Sequence, residues 1–260
     1  MKKILITNDD GFDSEGLRAL VEAVQDLAEV TVVAPTIEKS ASGHSLTLTR
    51  PLRFVELEKN FYKLDDGTPT DCIYLALNAL FKEGNKPDLV LSGINLGANL
   101  GEDITYSGTV AGAMEGVIHG VPAISLSQVY KGGKHTLHEK GFGVAQKVAR
   151  ELTQKIFSGE FPLGERKLLN VNIPPIMIDD FKGYKVSKSG YRLYGNDAHM
   201  HKNPRGEEHY WMGLHKLEWK PSTDDQISDL EAIDEGYVSI TPIHLDMTAY
   251  ADIDTLEKWL

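Results

Sequence analysis

The chain has 260 residues, of which 41% are hydrophobic and 25% are charged, a composition typical of a globular protein with a sizeable core. Its formal net charge of −11 argues against binding to long nucleic acid, because an acidic surface repels a phosphate backbone. The one cysteine, Cys72, excludes an intrachain disulfide, and no apolar run approaches the ~20 residues of a membrane-spanning helix. We therefore expect a cytoplasmic protein that does not act at a membrane.

Strand and helix signals alternate along the first two thirds of the chain. Short apolar runs predict strands at 4–6, 30–34, 89–91, 121–126 and 168–173, and the run at 89–91 ends at Ser92-Gly93, where a glycine-rich loop begins. Helical spacing predicts helices over 14–27, 69–81, 109–118 and 142–157, and residues 52–55 and 61–64 predict a hairpin or two edge strands. This alternation predicts an α/β fold with a doubly wound, Rossmann-like and mainly parallel sheet.

The last third of the chain has a different character. Residues 183–245 are richer in Tyr, His, Trp and polar residues, with short strand-like runs at 184–186 and 237–240, and residues 256–260 predict a short closing helix. We interpret residues 1–182 as the α/β core that carries the functional site. Residues 183–260 are then a C-terminal antiparallel extension and arm, not an independent domain.

Two adjacent carboxylates, Asp9 and Asp10, lie just beyond the first predicted strand, and Gly11 permits a turn there. In an open α/β sheet, ligands bind outside the carboxyl ends of the strands. Two carboxylates at that edge repel each other unless a cation lies between them, so a hard divalent ion is the simplest interpretation. The alternative is that one of them only caps the following helix.

Two more loops follow core strands and should meet the first loop at the same edge. One carries Lys39, Ser40, Ser42, His44 and Ser45, and the other, at 92–99, carries Asn95 and Asn99. Carboxylate, hydroxyl and amide oxygens together are the ligands that a hard cation prefers. No Cys/His cluster in the sequence rivals this set, which argues against a structural zinc site.

A third feature is the sequence Ser107-Gly108-Thr109 at the predicted start of a helix. Such a turn is a good anion cradle, because the first backbone N–H groups of a helix lack intrahelical partners and the helix dipole is positive there. The two hydroxyls could add donors. The alternative is that Ser107 is only a helix cap and the neighbouring glycines serve packing. The segment is neither a Walker A motif nor a dinucleotide fingerprint.

These motifs, in this order, resemble the SurE family, the survival-protein E nucleotidases. The matching segments include Asn8-Asp9-Asp10-Gly11, Ala34-Pro35 with Ser40 five residues later, Gly67-Thr68-Pro69-Thr70-Asp71-Cys72, and the segments at 92–99, 106–116, 203–206 and 236–242. The resemblance implies a metal-dependent phosphatase that acts on nucleoside 5′-monophosphates, with 3′-monophosphates and polyphosphate as further candidate substrates. It also implies a homodimer or homotetramer with exchanged C-terminal arms.

The resemblance also implies roles for individual residues. One divalent cation per subunit, Mg²⁺, Mn²⁺ or Ca²⁺, would be bound by Asp9, Asp10, Ser40 and Asn95, and the phosphate site would be lined by Asn99, Ser107, Gly108 and Thr109. Asp9, Asp10 and Asn99 would be the catalytic residues. The sequence assigns no role to His44 or to His199, His201 and His209.

Two other readings of the same residues stay open at this point. Asp9 or Asp10 could attack phosphorus itself and form an aspartyl-phosphate. Alternatively, the same sheet edge could belong to a non-catalytic module that binds a nucleotide or another metabolite.

Overall fold

The computed structural model of the chain describes residues 1–81, 84–130, 141–159, 161–195, 198–212 and 217–260. Its strands are β1 (Lys3–Thr7), β2 (Glu29–Pro35), β3 (Arg53–Glu58), β4 (Phe61–Asp65), β5 (Leu89–Leu96), β6 (Ala123–Gln128), β7 (Lys167–Ile173), β8 (Tyr184–Val186), β9 (Tyr191–Leu193), β10 (Ala198–Lys202), β11 (Glu208–Met212), β12 (Glu218–Lys220) and β13 (Val238–His244). Its α-helices are α1 (Glu15–Val24), α2 (Pro69–Leu75), α3 (Gly108–Ile118), α4 (Gly143–Phe157), α5 (Asp229–Asp234) and α6 (Ile253–Trp259).

The main sheet of the described residues has the strand order β3-β4-β2-β1-β5-β6-β7-β13-β8. The six strands from β4 to β7 in this order pair in parallel, whereas β3 and β13 are antiparallel to their neighbours β4 and β7. The predicted α/β fold with a mainly parallel sheet is therefore confirmed, as is the hairpin of β3 and β4. The carboxyl ends of β1, β2, β5, β6 and β7 meet at one edge.

The core lies on both faces of this sheet, and β1 shows why its sequence is apolar throughout. Ile4 and Ile6 pack with Leu17 of α1 and Val148 of α4 on one face. On the other face, Leu5 packs in a second cluster with residues of α2 and α3. A parallel strand that is covered on both sides needs apolar side chains in both directions. None of the helices in the described part of the chain is long and apolar enough to cross a membrane.

Several predicted boundaries differ from the structure, most clearly those of one strand and one helix. The strand expected to end at Ser92 continues to Leu96, and its pairing with β6 shifts register between Ser92 and Asn95. The helix expected over 69–81 is α-helical only to Leu75 and continues as a π-helical turn, Ala76–Leu80. The first difference matters for function, because it places Asn95 on a core strand instead of in a loop.

The C-terminal region contributes strands to the main sheet as well as a separate hairpin. β13 pairs with β7 and β8 pairs with β13, while β10 pairs with β11 in an antiparallel ladder whose residues are all exposed. The extra antiparallel strands predicted for this region are thus present. The boundary at 182 stays a prediction.

Candidate metal and phosphate site

The turn after β1 is shaped by the side chain of Asn8. Its Nδ2 donates to the carbonyl oxygen of Gly11 at 2.9 Å and to Ser14 Oγ at 2.7 Å. Ser14 is the N-cap of α1, and its Oγ accepts a hydrogen bond from Leu17 N at 3.3 Å. The helix therefore takes its cap from Ser14, and Asp9 and Asp10 are left for another role.

Asp9 is a buried carboxylate, only 3% exposed. Burial raises its pKa to about 6, a hydrogen bond from the Thr109 hydroxyl to Oδ1 opposes this shift, and the neighbouring charge of Asp10 adds to it. The ionised form is therefore costly in the folded protein. A cation bound against this carboxylate would remove that cost.

Asp10 connects the end of β1 with the end of β5. Its Oδ2 accepts a hydrogen bond from Leu96 N at 3.1 Å, directly after Asn95 in the chain. The side chain of Asn95 donates through Nδ2 to the carbonyl oxygen of Gly97 at 3.0 Å. This contact uses the amide nitrogen, so Oδ1 is the atom that a cation would contact.

The loop after β2 brings Ser40 to the same edge. Lys39 N donates to the carbonyl oxygen of Asp9 at 2.7 Å, which fixes the neighbouring Ser40 beside the end of β1. The Ser40 hydroxyl donates to Glu38 Oε1 at 2.7 Å. A hydroxyl that donates its hydrogen still has oxygen lone pairs, so this contact is compatible with binding a cation.

The N-terminus of α3 lies against Asp9. A Cβ placed on Gly108 would lie 2.9 Å from Asp9 Cβ, 3.0 Å from Asp9 Oδ2 and 2.8 Å from Ser42 Oγ, so only glycine fits there without a shift. Farther along the helix, a Cβ on Gly112 would lie 2.8 Å from Thr7 Cγ2. The small residues of α3 thus allow the helix to lie close to the sheet and to the carboxylates.

The hydroxyls at this helix start have different partners. Ser107 is the N-cap of α3, and its Oγ accepts a hydrogen bond from Val110 N at 3.0 Å. Capping uses the Ser107 oxygen as an acceptor and leaves its O–H able to donate to an anion. The Thr109 hydroxyl instead donates to Asp9, so it supports the carboxylate.

Asn99 is buried beside the ends of β6 and β7. Its Nδ2 donates to Ser127 Oγ at 2.7 Å, and its backbone N–H donates to Asn172 Oδ1 at 2.9 Å. Its carbonyl oxygen accepts hydrogen bonds from the side chains of Asn170, at 2.8 Å, and Asn172, at 3.0 Å. Sequence reasoning missed these two β7 residues, although two asparagines alternating within an apolar strand are a readable signal.

The histidines that had no predicted role fall in two different places. His44 Nε2 lies 2.8 Å from Glu115 Oε2, and His119 Nε2 lies 3.0 Å from the other oxygen of the same buried carboxylate on α3. His199, His201 and His209 lie on the exposed β10–β11 hairpin, where His201 is opposite His209.

The residues at this edge fit a hard divalent cation. Within the residues the structure describes, no three His, Cys, Asp or Glu side chains are grouped to hold a metal. A cation here would therefore need the hydroxyl of Ser40 and the amide oxygen of Asn95 beside the two carboxylates, a donor set that suits a hard ion. Burial makes the ionised form of Asp9 unfavourable in free energy, and a bound cation would offset this cost.

Comparisons with known proteins give a consistent result. The family model described as SurE, survival protein SurE, matches residues 4–196. A protein of Wolinella succinogenes named 5′-nucleotidase SurE is 64% identical and covers 100% of both chains, and one of Nitratiruptor sp. with the same name is 60% identical over 100% of both. The crystal structure of the SurE protein from Aquifex aeolicus matches with a TM-score of 0.83 and 41% identity, covering 99% of each chain.

Proposed function

Because this chain belongs to the SurE family, we propose that it is a phosphatase that hydrolyses nucleoside 5′-monophosphates to nucleoside and phosphate, with one divalent cation per subunit. The names of its relatives support the nucleotidase activity. The proposal goes beyond those names in three respects: the dependence on a cation, the preference for 5′ over 3′ substrates and the use of polyphosphate.

One observation supports the cation most directly. The proposed anion cradle at the start of α3 lies beside a carboxylate, because a Cβ placed on Gly108 would lie 3.0 Å from Asp9 Oδ2. A phosphate at this helix start would meet the charges of Asp9 and Asp10, and like charges at such distances repel. A bound dication reverses the local field, so that carboxylates and phosphate can share one site.

The proposed mechanism assigns cation binding, phosphoryl binding and proton acceptance to particular residues. Asp9, Asp10, Ser40 and Asn95 would hold a divalent cation, which would supply Lewis-acid polarisation of the phosphoryl group and a lower pKa for water. The Ser107 hydroxyl and the Gly108 backbone N–H bind the phosphoryl oxygens, and the amide of Asn99 adds a further donor. We assign acceptance of the proton from the attacking water to the Asp9 and Asp10 pair.

A covalent route through an aspartyl-phosphate is the alternative chemistry. Asp9 is a poor candidate for the nucleophile, since one oxygen accepts the Thr109 hydroxyl and the side chain is buried. Acid-quenched single turnovers with a nucleotide that carries a radioactive phosphate separate the routes. Direct attack by water leaves the label only in nucleotide and free phosphate, whereas the covalent route leaves part of it bound to the protein.

Phosphate release from nucleoside monophosphates tests the proposed function. We expect release from 5′-nucleotides with Mg²⁺ or Mn²⁺ and none with excess chelator. Parallel reactions with 3′-nucleotides and polyphosphate give the substrate range. If no substrate releases phosphate with any divalent ion, the site is that of a binding module and the proposal fails.

We also propose a homodimer or homotetramer with exchanged C-terminal arms. The β10–β11 hairpin supports this, because Tyr210 is 65% exposed, Trp211 69% and Met212 92%. Such side chains on one exposed ladder are typical of an interaction surface. Light scattering should give a mass of two or four chains, and replacing Trp211 with Lys should weaken the assembly. A monomeric wild-type protein would refute this part of the proposal.

A further inference from the structure

We propose that Ser42 is an additional substrate-binding residue, whose hydroxyl donates a hydrogen bond to the phosphoryl group of the substrate. This inference rests on the proposed function, because it takes the substrate phosphate to lie at the N-terminus of α3. It adds a residue from the loop after β2 to the cradle formed by Ser107 and Gly108.

The first observation is that the Ser42 hydroxyl has no hydrogen-bond partner in the described part of the chain. Its oxygen is buried, and none of the described residues pairs with it. Buried hydroxyls are usually satisfied, and each exception calls for an explanation. A hydroxyl that meets its partner only when a ligand binds is one such explanation.

The second observation is the position of this hydroxyl beside the start of α3. Ser42 Oγ lies 2.8 Å from the position of a Cβ on Gly108, and Asp9 Oδ2 lies 3.0 Å from the same position. The hydroxyl, the buried carboxylate and the first residue of α3 therefore meet at one point. A phosphate bound at this helix start would be within reach of Ser42.

The loop holds Ser42 in place through contacts on both sides. Gly43 N donates to the carbonyl oxygen of Tyr106 at 2.9 Å, directly before the Ser107 cap of α3. The next residue, His44, lies 2.8 Å from the buried carboxylate of Glu115 on the same helix. These two contacts hold the loop against α3. The Ser42 hydroxyl is therefore held beside the start of this helix without substrate.

Binding of inorganic phosphate to the Mn²⁺-loaded protein tests the inference directly. Calorimetry on wild type and Ser42→Ala should show phosphate affinity about 10- to 100-fold weaker in the variant, the range for a hydrogen bond to a charged group. With a nucleoside 5′-monophosphate as substrate, KM should rise by a similar factor. Mn²⁺ affinity should stay unchanged, because Ser42 is not among the proposed metal ligands.

Thr49→Ala is the matched control, since it removes an exposed hydroxyl from the same segment. It should leave the phosphate affinity, KM and Mn²⁺ affinity as in wild type. Equal phosphate affinity in Ser42→Ala and wild type would overturn the inference while leaving the proposed function intact. If wild type releases no phosphate from any nucleotide, the proposed function fails instead, and the calorimetric comparison still decides whether Ser42 binds phosphate.

Discussion

The side chain of Asn172 makes two hydrogen bonds with the backbone of Asn99: Oδ1 accepts from Asn99 N at 2.9 Å, and Nδ2 donates to Asn99 O at 3.0 Å. A buried strand residue therefore sets the position of a loop residue proposed to contact phosphate. Both partners are buried, so the contact is shielded from competing water.

Asn172→Asp should impair catalysis because it displaces Asn99. The carboxylate still accepts from Asn99 N, but it places an oxygen against Asn99 O where an amide had donated. We expect kcat to fall about 10-fold or more through misplacement of Asn99, with a stability loss of about 2 kcal/mol. Steady-state kinetics and urea denaturation measure the two effects. Asn85→Asp, the same change at an exposed loop residue whose Oδ1 only accepts from Lys3 Nζ, should alter neither. Unchanged kcat in Asn172→Asp would show that Asn99 needs no such support.

Gly108→Ala should disable the site without unfolding the protein. The new Cβ would lie within 3.0 Å of Asp9 Cβ, Asp9 Oδ2 and Ser42 Oγ, so it must displace the carboxylate or the helix start. We expect an activity loss of about 100-fold, the cost of misplacing catalytic groups by roughly 1 Å. Gly143→Ala at the start of α4 meets no atom within 4 Å and should retain full activity. Equal activity of the two variants would contradict the assigned place of Gly108 in the cradle.

Asp9→Asn should stabilise the protein when no metal is bound. Burial raises the pKa of Asp9 to about 6, whereas an unfolded Asp has a pKa of about 4. The cost of ionised Asp9 is therefore absent below pH 4, grows between pH 4 and 6, and is complete above that range. In chelator at pH 8, Asp9→Asn should exceed wild type in free energy of unfolding by on the order of 3 kcal/mol.

Urea denaturation at a series of pH values measures this difference. It should shrink towards zero as the pH is lowered to 4, because Asp9 is then protonated in both the folded and the unfolded state. A difference that stays constant across the range would show that ionisation of Asp9 is not its cause.

We expect Asp229 to stabilise the folded protein by holding the backbone at Gly101, which follows the loop at 97–100. Its Oδ2 accepts from Gly101 N and its Oδ1 from Gly190 N, both at 2.9 Å, and the side chain is fully buried. Asp229→Asn replaces one of these acceptors with a donor and should cost about 2 kcal/mol. Asp254→Asn on the exposed helix α6 is the control. Identical denaturation midpoints for both variants would mean that these contacts contribute nothing.

The parts of the site that could be predicted from sequence are those set by local order. Asp9 and Asp10 lie just beyond an apolar strand, and the rule that parallel strands end at one edge brings Asn95 and Ser40 towards them. The Ser107 cap is likewise a local pattern. These inferences need the topology of the sheet but no knowledge of individual contacts.

The remaining contacts depend on residues far apart in the chain. Asn99 and Asn172 are separated by 73 positions, and His44 and Glu115 by 71. A single sequence does not say which side chains meet after the sheet has formed. The extension of β5 to Leu96 was missed for a related reason, since the register shift that permits it arises from pairing with β6.

The binding of Mn²⁺ to wild type and Asp9→Asn, measured by electron paramagnetic resonance together with turnover of a nucleoside 5′-monophosphate, is the most direct test of the proposed metal site. Wild type should bind one ion per chain. Asp9→Asn should lose more than about 100-fold in Mn²⁺ affinity, beyond the usual effect of losing a residue that only supports a ligand, and its turnover should fall with it. Wild-type affinity and turnover in Asp9→Asn would contradict the assignment of Asp9 as a metal ligand and the mechanism that depends on it.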